Sequence, residues 1–524
     1  MSPFHSIVFA LLALKAVAGS SSAFTDGSAT LMMHNTHRRV GELFQDSPAS
    51  LDIRDDDDCI APDPQNTVTD RMNIALNTSG PGYILRLCQN TQYFIVEPIK
   101  FAAPYQEIST VGYPTGDERA VLVVNGPVAD GQGHTTAIDG TCSNCSYVKL
   151  RNIQVNGTRG GASPTGGGAN IEMGGPTSGQ IIEYVRSHDP RSWSCLHIAE
   201  GGLLCNNVTV QNNDIGPCGT DAFQEWADGI SVSCASAVVR NNLINNPTDG
   251  GVVLFGAPGT LVENNTIWVV NNTCLGGINM VDVDPWGGNY TGTVVQHNII
   301  TGGFATDSDS AYETKGSNVD DVIVKIGIAI GPRAWFGDRY GDNVSFSGTV
   351  LNNQFTGAFG YGIAVTSSRN FTVQGNALVG NTSFLGSRGP NCSADSIVPT
   401  PAPFIVDSAN VSSPFLQGDF QTIQDQSGLG LTCILPPDGG DFWPYGGNPA
   451  PNSMDPPVPV PEPAAHAKGN SGLSGGAKAG IAIGVILGVV ALSIAVWFIR
   501  NWALRRAALK TEKLGGQTGY VQNY

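Results

Sequence analysis

The stretch Val239-Arg-Asn-Asn242-Leu-Ile244 recurs, with variation, through the middle of the chain. The other clear copies are Val210-Gln-Asn-Asn213-Asp-Ile215, Val262-Glu-Asn-Asn265-Thr-Ile267, Val295-Gln-His-Asn298-Ile-Ile300, Val350-Leu-Asn-Asn353-Gln-Phe355 and Val373-Gln-Gly-Asn376-Ala-Leu378. Successive motif asparagines are 29, 23, 33, 55 and 23 residues apart. A period in the twenties predicts a solenoid of stacked repeats. We expect the interval of 55 to hold about two units, with residues 322–330 supplying a strand.

A second, glycine-led strand alternates with the asparagine motif. It reads Gly-Ile-Ser-Val at residues 229–232, and related segments begin at Gly251, Gly277, Gly327 and Gly362. Short β-branched strands joined by Asn and Gly turns do not form a helical solenoid, and the chain lacks the L-x-x-L-x-L signature of leucine-rich repeats. A propeller blade needs about 40 residues. The pattern therefore predicts an all-β parallel β-helix, with coils stacked about 4.8 Å apart.

The motif asparagines are expected to point inward and pair with one another at one corner of the coils. An asparagine amide can donate to one neighbour and accept from another, and asparagine tolerates the left-handed backbone of a corner. None of the six motif asparagines lies in an Asn-x-Ser/Thr sequon, whereas the adjacent Asn264 does. A buried asparagine cannot carry a glycan, so this distribution favours an inward ladder.

Over residues 59–435, and most strongly over 148–380, the chain resembles the right-handed parallel β-helix superfamily of pectin-lyase-like proteins. The segments Ala227-Asp228-Gly-Ile-Ser-Val and Thr248-Asp249-Gly-Gly-Val-Val-Leu-Phe255 carry the resemblance. They look like uncharacterised secreted β-helix repeat proteins. The resemblance implies a right-handed parallel β-helix (solenoid). It also implies a link to polysaccharides, which many members cleave or epimerise and others only bind. The Asp-Asp and Gly-His-Gly motifs of polygalacturonases and the Asp-Pro-His-Asp motif of alginate epimerases are absent at matching positions.

Acidic, basic and aromatic residues gather in the turns that flank the glycine-led strands. Equivalent turns of a β-helix stack, so these side chains are expected to share one face. Asp228 and Asp249 are 21 residues apart and both precede a glycine-led strand, which predicts backbones about 5 Å apart. We assign the catalytic candidates as Asp228, Asp249, Asp221 and His188. The substrate-binding candidates are Asp189, Arg191, Trp226, Lys325 and Arg333, of which the last two are expected to hold a substrate carboxylate.

The chemistry of this face stays open between several functions. Two carboxylates about 5–9.5 Å apart suit glycoside hydrolysis, a His or Arg base suits a lyase, and Trp suits stacking on sugar rings. Crowded carboxylates also suit a calcium ion, which would favour the lyase. In the competing interpretation the aspartates are ordinary turn residues and the tryptophans are packing residues, and His197 is read as structural. The hypotheses are therefore an enzyme acting on extracellular polysaccharide, a non-catalytic glycan-binding or adhesive protein, and a receptor.

Two apolar segments predict a single-pass protein of the plasma membrane. Residues 1–23 have the form of a signal peptide, and 24–58 form a polar linker. Residues 436–478 are a Pro/Gly-rich stalk before an uncharged segment, 479–499, that is long enough to span a bilayer. Basic residues in the tail 500–524 predict a cytoplasmic C-terminus and an extracellular N-terminus. One face of the spanning segment carries a candidate homodimer contact, made of Gly480, Gly484 and Gly488.

Composition agrees with this placement. Eleven cysteines and twelve sequons lie between the two apolar segments, which predicts disulfides with one cysteine left over and a glycoprotein. Cys142-x-x-Cys145 also admits a zinc site, but no second pair has ligand spacing. The formal net charge is −17 without a basic cluster, so no nucleic-acid partner is expected.

Overall fold

The protein is described by a computed structural model over residues 59–126, 135–159, 168–220, 225–270, 272–303, 323–384, 386, 401–424 and 431–432. The predicted signal peptide, linker, stalk, spanning segment and tail lie outside these residues, as do Asp221, Cys392 and Cys433. No helix within the described ranges is long and apolar enough to cross a membrane.

The described chain winds into a parallel β-helix with three strand-bearing faces, and every strand pairing between coils is parallel. Face 1 is an eleven-stranded sheet. Its strands, numbered in chain order with those of the other faces, are β1 (Ile84–Leu87), β4 (Glu107–Thr110), β7 (Lys149–Arg151), β10 (Ile181–Glu183), β13 (Thr209–Gln211), β16 (Val238–Arg240), β19 (Leu261–Glu263), β22 (Val294–Gln296), β26 (Thr349–Leu351), β29 (Thr372–Gln374) and β33 (Phe415–Leu416).

Faces 2 and 3 form one 20-stranded sheet, because the long strand β27 (Gln354–Val365) runs through both. The other strands of face 2 are β2 (Gln92–Ile95), β5 (Ala120–Val124), β8 (Ile153–Asn156), β11 (Arg186–His188), β14 (Asp214–Ile215), β17 (Leu243–Asn245), β20 (Thr266–Trp268), β23 (Ile299–Thr301) and β30 (Ala377–Phe384). Those of face 3 are β3 (Ile99–Lys100), β6 (Ile138–Asp139), β9 (Ile171–Gly174), β12 (Ser194–Ala199), β15 (Asp228–Val232), β18 (Gly250–Leu254), β21 (Cys274–Met280), β24 (Val324–Ile330), β31 (Phe404–Asp407) and β34 (Gln421–Ile423).

Short elements complete the coils. Helix α1 (Val68–Ser79) follows a 3-10 turn (Gln65–Thr67) and buries Val68, Met72 and Leu76 in the core at the N-terminal end of the solenoid. Helix α2 (Pro332–Phe336) and a second 3-10 turn (Gly337–Tyr340) follow β24. A small third sheet contains β25 (Ser345–Phe346), β28 (Ser368–Arg369) and β32 (Val411–Ser412).

Stacked apolar side chains fill the interior, as the repeat predicts. The first valine of each motif pairs with the same position one coil away, for example Val210 with Val239 and Val239 with Val262. These three side chains are fully buried. The predicted strand at 322–330 is also present, as β24.

The inward asparagine ladder is confirmed. Asn242 Nδ2 donates to Asn265 Oδ1 at 2.9 Å and to Val210 O at 3.0 Å. Its Oδ1 in turn accepts from Asn213 Nδ2 at 2.9 Å and from the Asn213 backbone N–H at 3.0 Å. The same pattern continues to Asn376, and all six ladder asparagines are buried. Buried amides that pair in this way avoid the cost of unsatisfied polar groups.

Two details of the repeat differ from the prediction. The left-handed backbone belongs to the residue before each ladder asparagine, such as Asn241 (φ 55°) and His297 (φ 55°), and not to the ladder residue itself. The interval of 55 residues is a single coil, because Asn298 Nδ2 donates directly to Asn353 Oδ1 at 2.9 Å. The extra length is an insertion that includes α2 and residues 304–322, of which the latter lie outside the described ranges.

Cysteines and sequons follow the pattern expected of an extracellular protein. Disulfides join Cys59 to Cys88, Cys142 to Cys145, Cys195 to Cys218 and Cys205 to Cys234. Cys142 and Cys145 therefore form a disulfide and not a zinc site, and Cys274 is a buried free thiol. Ten of the twelve sequon asparagines lie in described ranges, and none of the ten is buried.

Candidate functional site

Three aspartates on or next to face 3 form the most perturbed group of titratable side chains in the described residues. Asp228 begins β15, Asp249 directly precedes β18, and Asp282 lies two residues after β21. Their exposed fractions are 4%, 7% and 8%. Asp282 was not among the predicted catalytic residues, although its position after a glycine-led strand was a usable signal. We call these three residues the acid cluster.

Asp228 and Asp249 do not occupy equivalent positions, contrary to the prediction. The strand register places Asp228 level with Gly250, whose backbone N–H donates to Asp228 Oδ1 at 2.9 Å. The N–H of Asp249 donates instead to Ala227 O at 3.1 Å. The second glycine of the segment, Gly251, is the residue that aligns with the single leading glycine of β15, so Asp249 lies one residue out of register.

Burial sets the protonation of the acid cluster. It raises the pKa of Asp228 from 3.8 to about 7, against the opposing effect of hydrogen bonds from Ser231 Oγ (2.8 Å) and the backbone of Gly250. Burial also raises the pKa of Asp249 well above its usual value, and the charges of Asp228 and Asp282 raise it further. The pKa of Asp282 is raised by burial first and by neighbouring carboxylates second. Hydrogen-bond donors favour the charged form, so Asp228 ionises most readily of the three.

A histidine–glutamate pair lies beside the acid cluster on the same sheet. His197 on β12 is in register with Ser231 on β15 and with Glu172 on β9. His197 Nδ1 and Glu172 Oε2 are 2.8 Å apart, and the Trp193 ring centroid lies 5.1 Å from that of His197. The charge of His197 also favours the ionised form of Asp228. The sequence analysis read His197 as structural, because its partner Glu172 is 25 residues away in a coil with a weak repeat.

Asn279 presents an unused acceptor at the same face. Its Oδ1 atom is buried and has no hydrogen-bond partner among the described residues. A Cβ built on Gly250 would lie 2.8 Å from Asn279 Nδ2 and 3.2 Å from Asp228 Oδ1, so the glycine leaves room between these two polar groups. An unsatisfied buried carbonyl costs about 1–3 kcal/mol, and a hydroxyl donor from a ligand would satisfy it.

The predicted residues His188, Asp189 and Arg191 belong to another part of the coil. His188 ends β11 on face 2, and its Nδ1 lies 2.7 Å from Asp189 Oδ2. Arg191 Nη1 donates to Gly126 O at 2.7 Å, and its Nε donates to Thr158 Oγ1 at 3.1 Å. Arg191 therefore ties neighbouring coils together, and the structure pairs His188 with Asp189 instead of with the acid cluster.

The other predicted binding residues are engaged within the protein. Trp226 is buried in a second apolar cluster that covers the outside of face 3 together with Trp335 and Leu431. Lys325 is buried, its Nζ donates to Thr432 O at 3.0 Å, and burial lowers its pKa to about 7. Arg333 Nε lies 3.9 Å from Asp407 Oδ2. In this conformation these residues pack or pair internally and do not present free groups to a ligand.

Metal-ligand geometry does not accompany the acid cluster. The described residues contain no group of three or more His, Cys, Asp or Glu side chains that could hold a metal ion. Calcium, the candidate cofactor of the lyase hypothesis, therefore has no ligand set within these ranges.

Comparison with protein families agrees with the fold. Residues 193–378 match the family model described as a right handed beta helix region. The chain is a right-handed parallel β-helix protein. The match begins just before β12 and ends within β30, so it contains the acid cluster and the asparagine ladder. A comparison with curated proteins finds no match.

Solved structures share the fold at low identity. The β-helix is similar to DFA-IIIase from Arthrobacter chlorophenolicus A6 in complex with DFA-III, at 12% identity and a TM-score of 0.40, covering 67% of this chain and 88% of that one. A mannuronan C-5 epimerase A-module of Azotobacter vinelandii gives 11% identity and a TM-score of 0.40, covering 68% and 96%. The Dettilon tailspike protein gives 15% identity and 0.32, covering 59% of each chain. At these values the likeness concerns the fold alone.

Proposed function

We propose that the protein acts on an extracellular polysaccharide and that the acid cluster cleaves its glycosidic bonds by hydrolysis. The observation that carries this proposal is the set of three buried carboxyl groups whose pKa values are all raised, next to the unsatisfied Asn279 Oδ1. Glycoside hydrolysis needs one carboxyl group that is protonated near neutral pH and a second one that is ionised. A buried acidic group with one member that ionises more readily meets that need.

The hydrogen bonds divide the roles between the aspartates. Asp228 accepts from Ser231 Oγ and Gly250 N–H, so it is the carboxylate that acts as base or nucleophile. Asp249 has the charges of Asp228 and Asp282 beside it, so it stays protonated and donates the proton to the leaving oxygen. Asn279 Oδ1 accepts a hydroxyl hydrogen of the sugar and orients it.

Electrostatics favours an uncharged substrate over a uronate. A lyase or epimerase must hold a substrate carboxylate beside its base, whereas the acid cluster would repel that group. Lys325 and Arg333, the predicted carboxylate clamp, are bonded to Thr432 O and paired with Asp407. We therefore favour the glycosidase over the lyase of the two enzyme hypotheses.

Product analysis tests the proposal. The full-length protein is incubated with uncharged and uronic polysaccharides, and both reducing ends and unsaturated products absorbing in the ultraviolet are measured. We expect reducing ends without unsaturated products, and a loss of about two decades or more in rate for Asp228→Asn and for Asp249→Asn. Asp214→Asn on face 2 is the matched control and should keep the wild-type rate. Full activity in both site variants would place the chemistry elsewhere.

Near-complete burial of the acid cluster favours one competing function, a protein that binds glycan without cleaving it. In that case the carboxyl groups remain protonated and act as hydrogen-bonding members of the wall. Glycan binding with no product of either kind, and no change in Asp249→Asn, would support this second function.

We also propose that residues 479–499 anchor the protein in the plasma membrane, with the β-helix outside the cell. The support is the uncharged segment followed by a basic tail, together with the disulfides and the surface position of the sequons. Protease treatment of intact cells expressing a protein tagged after Tyr524 tests this orientation, since the tag should survive while the β-helix is digested. Loss of the tag would reverse the orientation.

A further inference from the structure

Two exposed tyrosines stack on each other at the corner that leads into face 1. Tyr105 and Tyr147 have ring centroids 4.9 Å apart and an angle of 6° between the ring planes. Their exposed fractions are 57% and 45%. Each lies two residues before a face 1 strand, β4 or β7, on consecutive coils. They are on earlier coils than the acid cluster and play no part in the proposed hydrolysis.

The backbone shows that four residues of this corner occupy one column. Each N–H donates to a carbonyl one coil further on: Gly82 to Pro104 at 3.1 Å, Tyr105 to Ser146 at 3.1 Å, Tyr147 to Ser178 at 2.8 Å and Gly179 to Asn206 at 3.1 Å. All four have positive φ, and later coils place Asn207, Ser236 and Gly259 at the same corner. The tyrosine stack is therefore bounded by a glycine on either side.

The two bounding glycines differ in what lies beside them. A Cβ built on Gly179 would meet Cδ1 and Cε1 of Tyr147 at 2.4 and 2.5 Å, so the Tyr147 ring rests on the backbone of that coil. A Cβ built on Gly82 would have no atom within 4 Å beyond its chain neighbours. The stack thus rests on protein at one end and is open at the other, where the column continues with no side chain.

Folding alone gives little reason for this arrangement. A bulky residue at positive φ carries backbone strain of order 1 kcal/mol, and the rings remain largely in water. Tyr113 at the neighbouring corner also has positive φ (50°), but its hydroxyl donates to Glu107 Oε1 at 2.8 Å and Arg151 lies over its ring. Among the described residues, neither hydroxyl of the stacked pair has a hydrogen-bond partner.

The corner is held rigidly in place. Gln106, directly after Tyr105, donates from Nε2 to Leu76 O at 2.6 Å and accepts from Ala102 N–H at 2.8 Å. The Cys142–Cys145 disulfide closes the loop just before Tyr147. A rigid binding surface loses little conformational entropy when a ligand binds.

We propose that the Tyr105–Tyr147 stack is a binding site for an uncharged β-linked glucan, with one pyranose ring lying on the open face of Tyr105 above Gly82. The next layer of the column begins one coil spacing away, about 4.8 Å, which suits a sugar ring stacked on an aromatic face. In β-linked glucopyranose the hydroxyls are equatorial, so both faces of the ring present C–H groups to an aromatic surface. The net charge of −17 disfavours an acidic polymer.

Binding of laminarin, an uncharged β-glucan, to the full-length protein tests this site, with polygalacturonate as the acidic comparison. The variants Tyr105→Asn and Tyr147→Asn use a residue that the chain itself places at this corner, as Asn207, so the backbone conformation is retained. We expect each to weaken laminarin binding at least about tenfold, which corresponds to the loss of one ring contact. Tyr105→Phe should bind as the wild type does, because the ring and not the hydroxyl makes the contact.

Two controls separate this site from a structural role and from catalysis. Phe415→Ala removes another exposed aromatic ring and should leave binding unchanged. Asp228→Asn should also bind laminarin normally, whether or not it loses activity, so failure of the hydrolase proposal would leave this result intact. The inference is overturned if the wild type does not bind laminarin, if it binds polygalacturonate instead, or if Tyr105→Asn binds with unchanged affinity.

Discussion

Replacing Asp228 by asparagine should stabilise the folded protein at neutral and alkaline pH while it removes activity. The pKa of Asp228 is about 7 in the fold, against 3.8 for the free side chain. Between these values the folded state binds a proton that the unfolded state has released, so the free energy of unfolding falls as pH rises. Three pKa units correspond to about 4 kcal/mol, which is the upper bound on the cost of this carboxylate above pH 7.

Asparagine can occupy the same place without breaking the network. Its Oδ1 accepts from Gly250 N–H as Asp228 Oδ1 does, and its Nδ2 can donate to Ser231 Oγ. Ser231 then turns its own hydrogen toward Ser194 Oγ, 2.9 Å away, which itself donates to Leu196 O. The substitution therefore removes a charge that burial disfavours and keeps the hydrogen bonds.

Urea unfolding at several pH values measures this effect. We expect Asp228→Asn to exceed the wild type by about 2–4 kcal/mol at pH 8, with the difference shrinking steadily toward pH 4. Asp214→Asn, at a more exposed site on face 2, should show no such trend. A variant that is less stable than the wild type at pH 8, or a difference independent of pH, would refute the idea that burial raises the pKa of Asp228.

Three further experiments address the ladder, the metal and the membrane segment. Asn242→Leu leaves the Asn213 amide and Val210 O without their partners, so the free energy of unfolding should fall by about 2–6 kcal/mol, while Asn241→Gly on the exposed side changes it little; equal stability would place the ladder in solvent. Calcium chelation should leave hydrolysis unchanged, and a loss restored by calcium would revive the lyase hypothesis. If the spanning segment dimerises, Gly484→Ile should abolish crosslinking of the full-length protein in membranes, and crosslinking at wild-type levels would exclude this contact.

The fold was predictable because its information is local and repeated. A valine and an asparagine at a fixed offset recur on each coil, and parallel stacking brings like positions together. The error over the interval from Asn298 to Asn353 has the same origin, because residue spacing counts inserted residues as readily as a coil. Only the direct hydrogen bond between these two side chains shows that one coil contains the whole insertion.

The site was only partly predictable because its geometry depends on register and on distant segments. One extra glycine before β18 moved Asp249 out of line with Asp228, although both read as Asp-Gly in the sequence. Lys325 is occupied by Thr432, which lies 107 residues further along the chain. No repeat pattern reports a segment that returns to cover a sheet from outside it, so burial of predicted binding residues could not be anticipated.

The asparagine ladder is also an electrical object. Every side-chain N–H in it points toward the C-terminal coils and every C=O points back, so the amide dipoles add along the axis with the positive end last. At that end Asn376 Nδ2 reaches Gln417 Oε1 at 3.3 Å, and Gln417 Nε2 donates to Asp419 Oδ1 at 2.9 Å. A carboxylate thus neutralises the positive terminus, as acidic residues do at the start of an α-helix. Because hydrogen bonds in such chains polarise one another, each added coil strengthens those before it, and the solenoid has a preferred direction in which to lengthen.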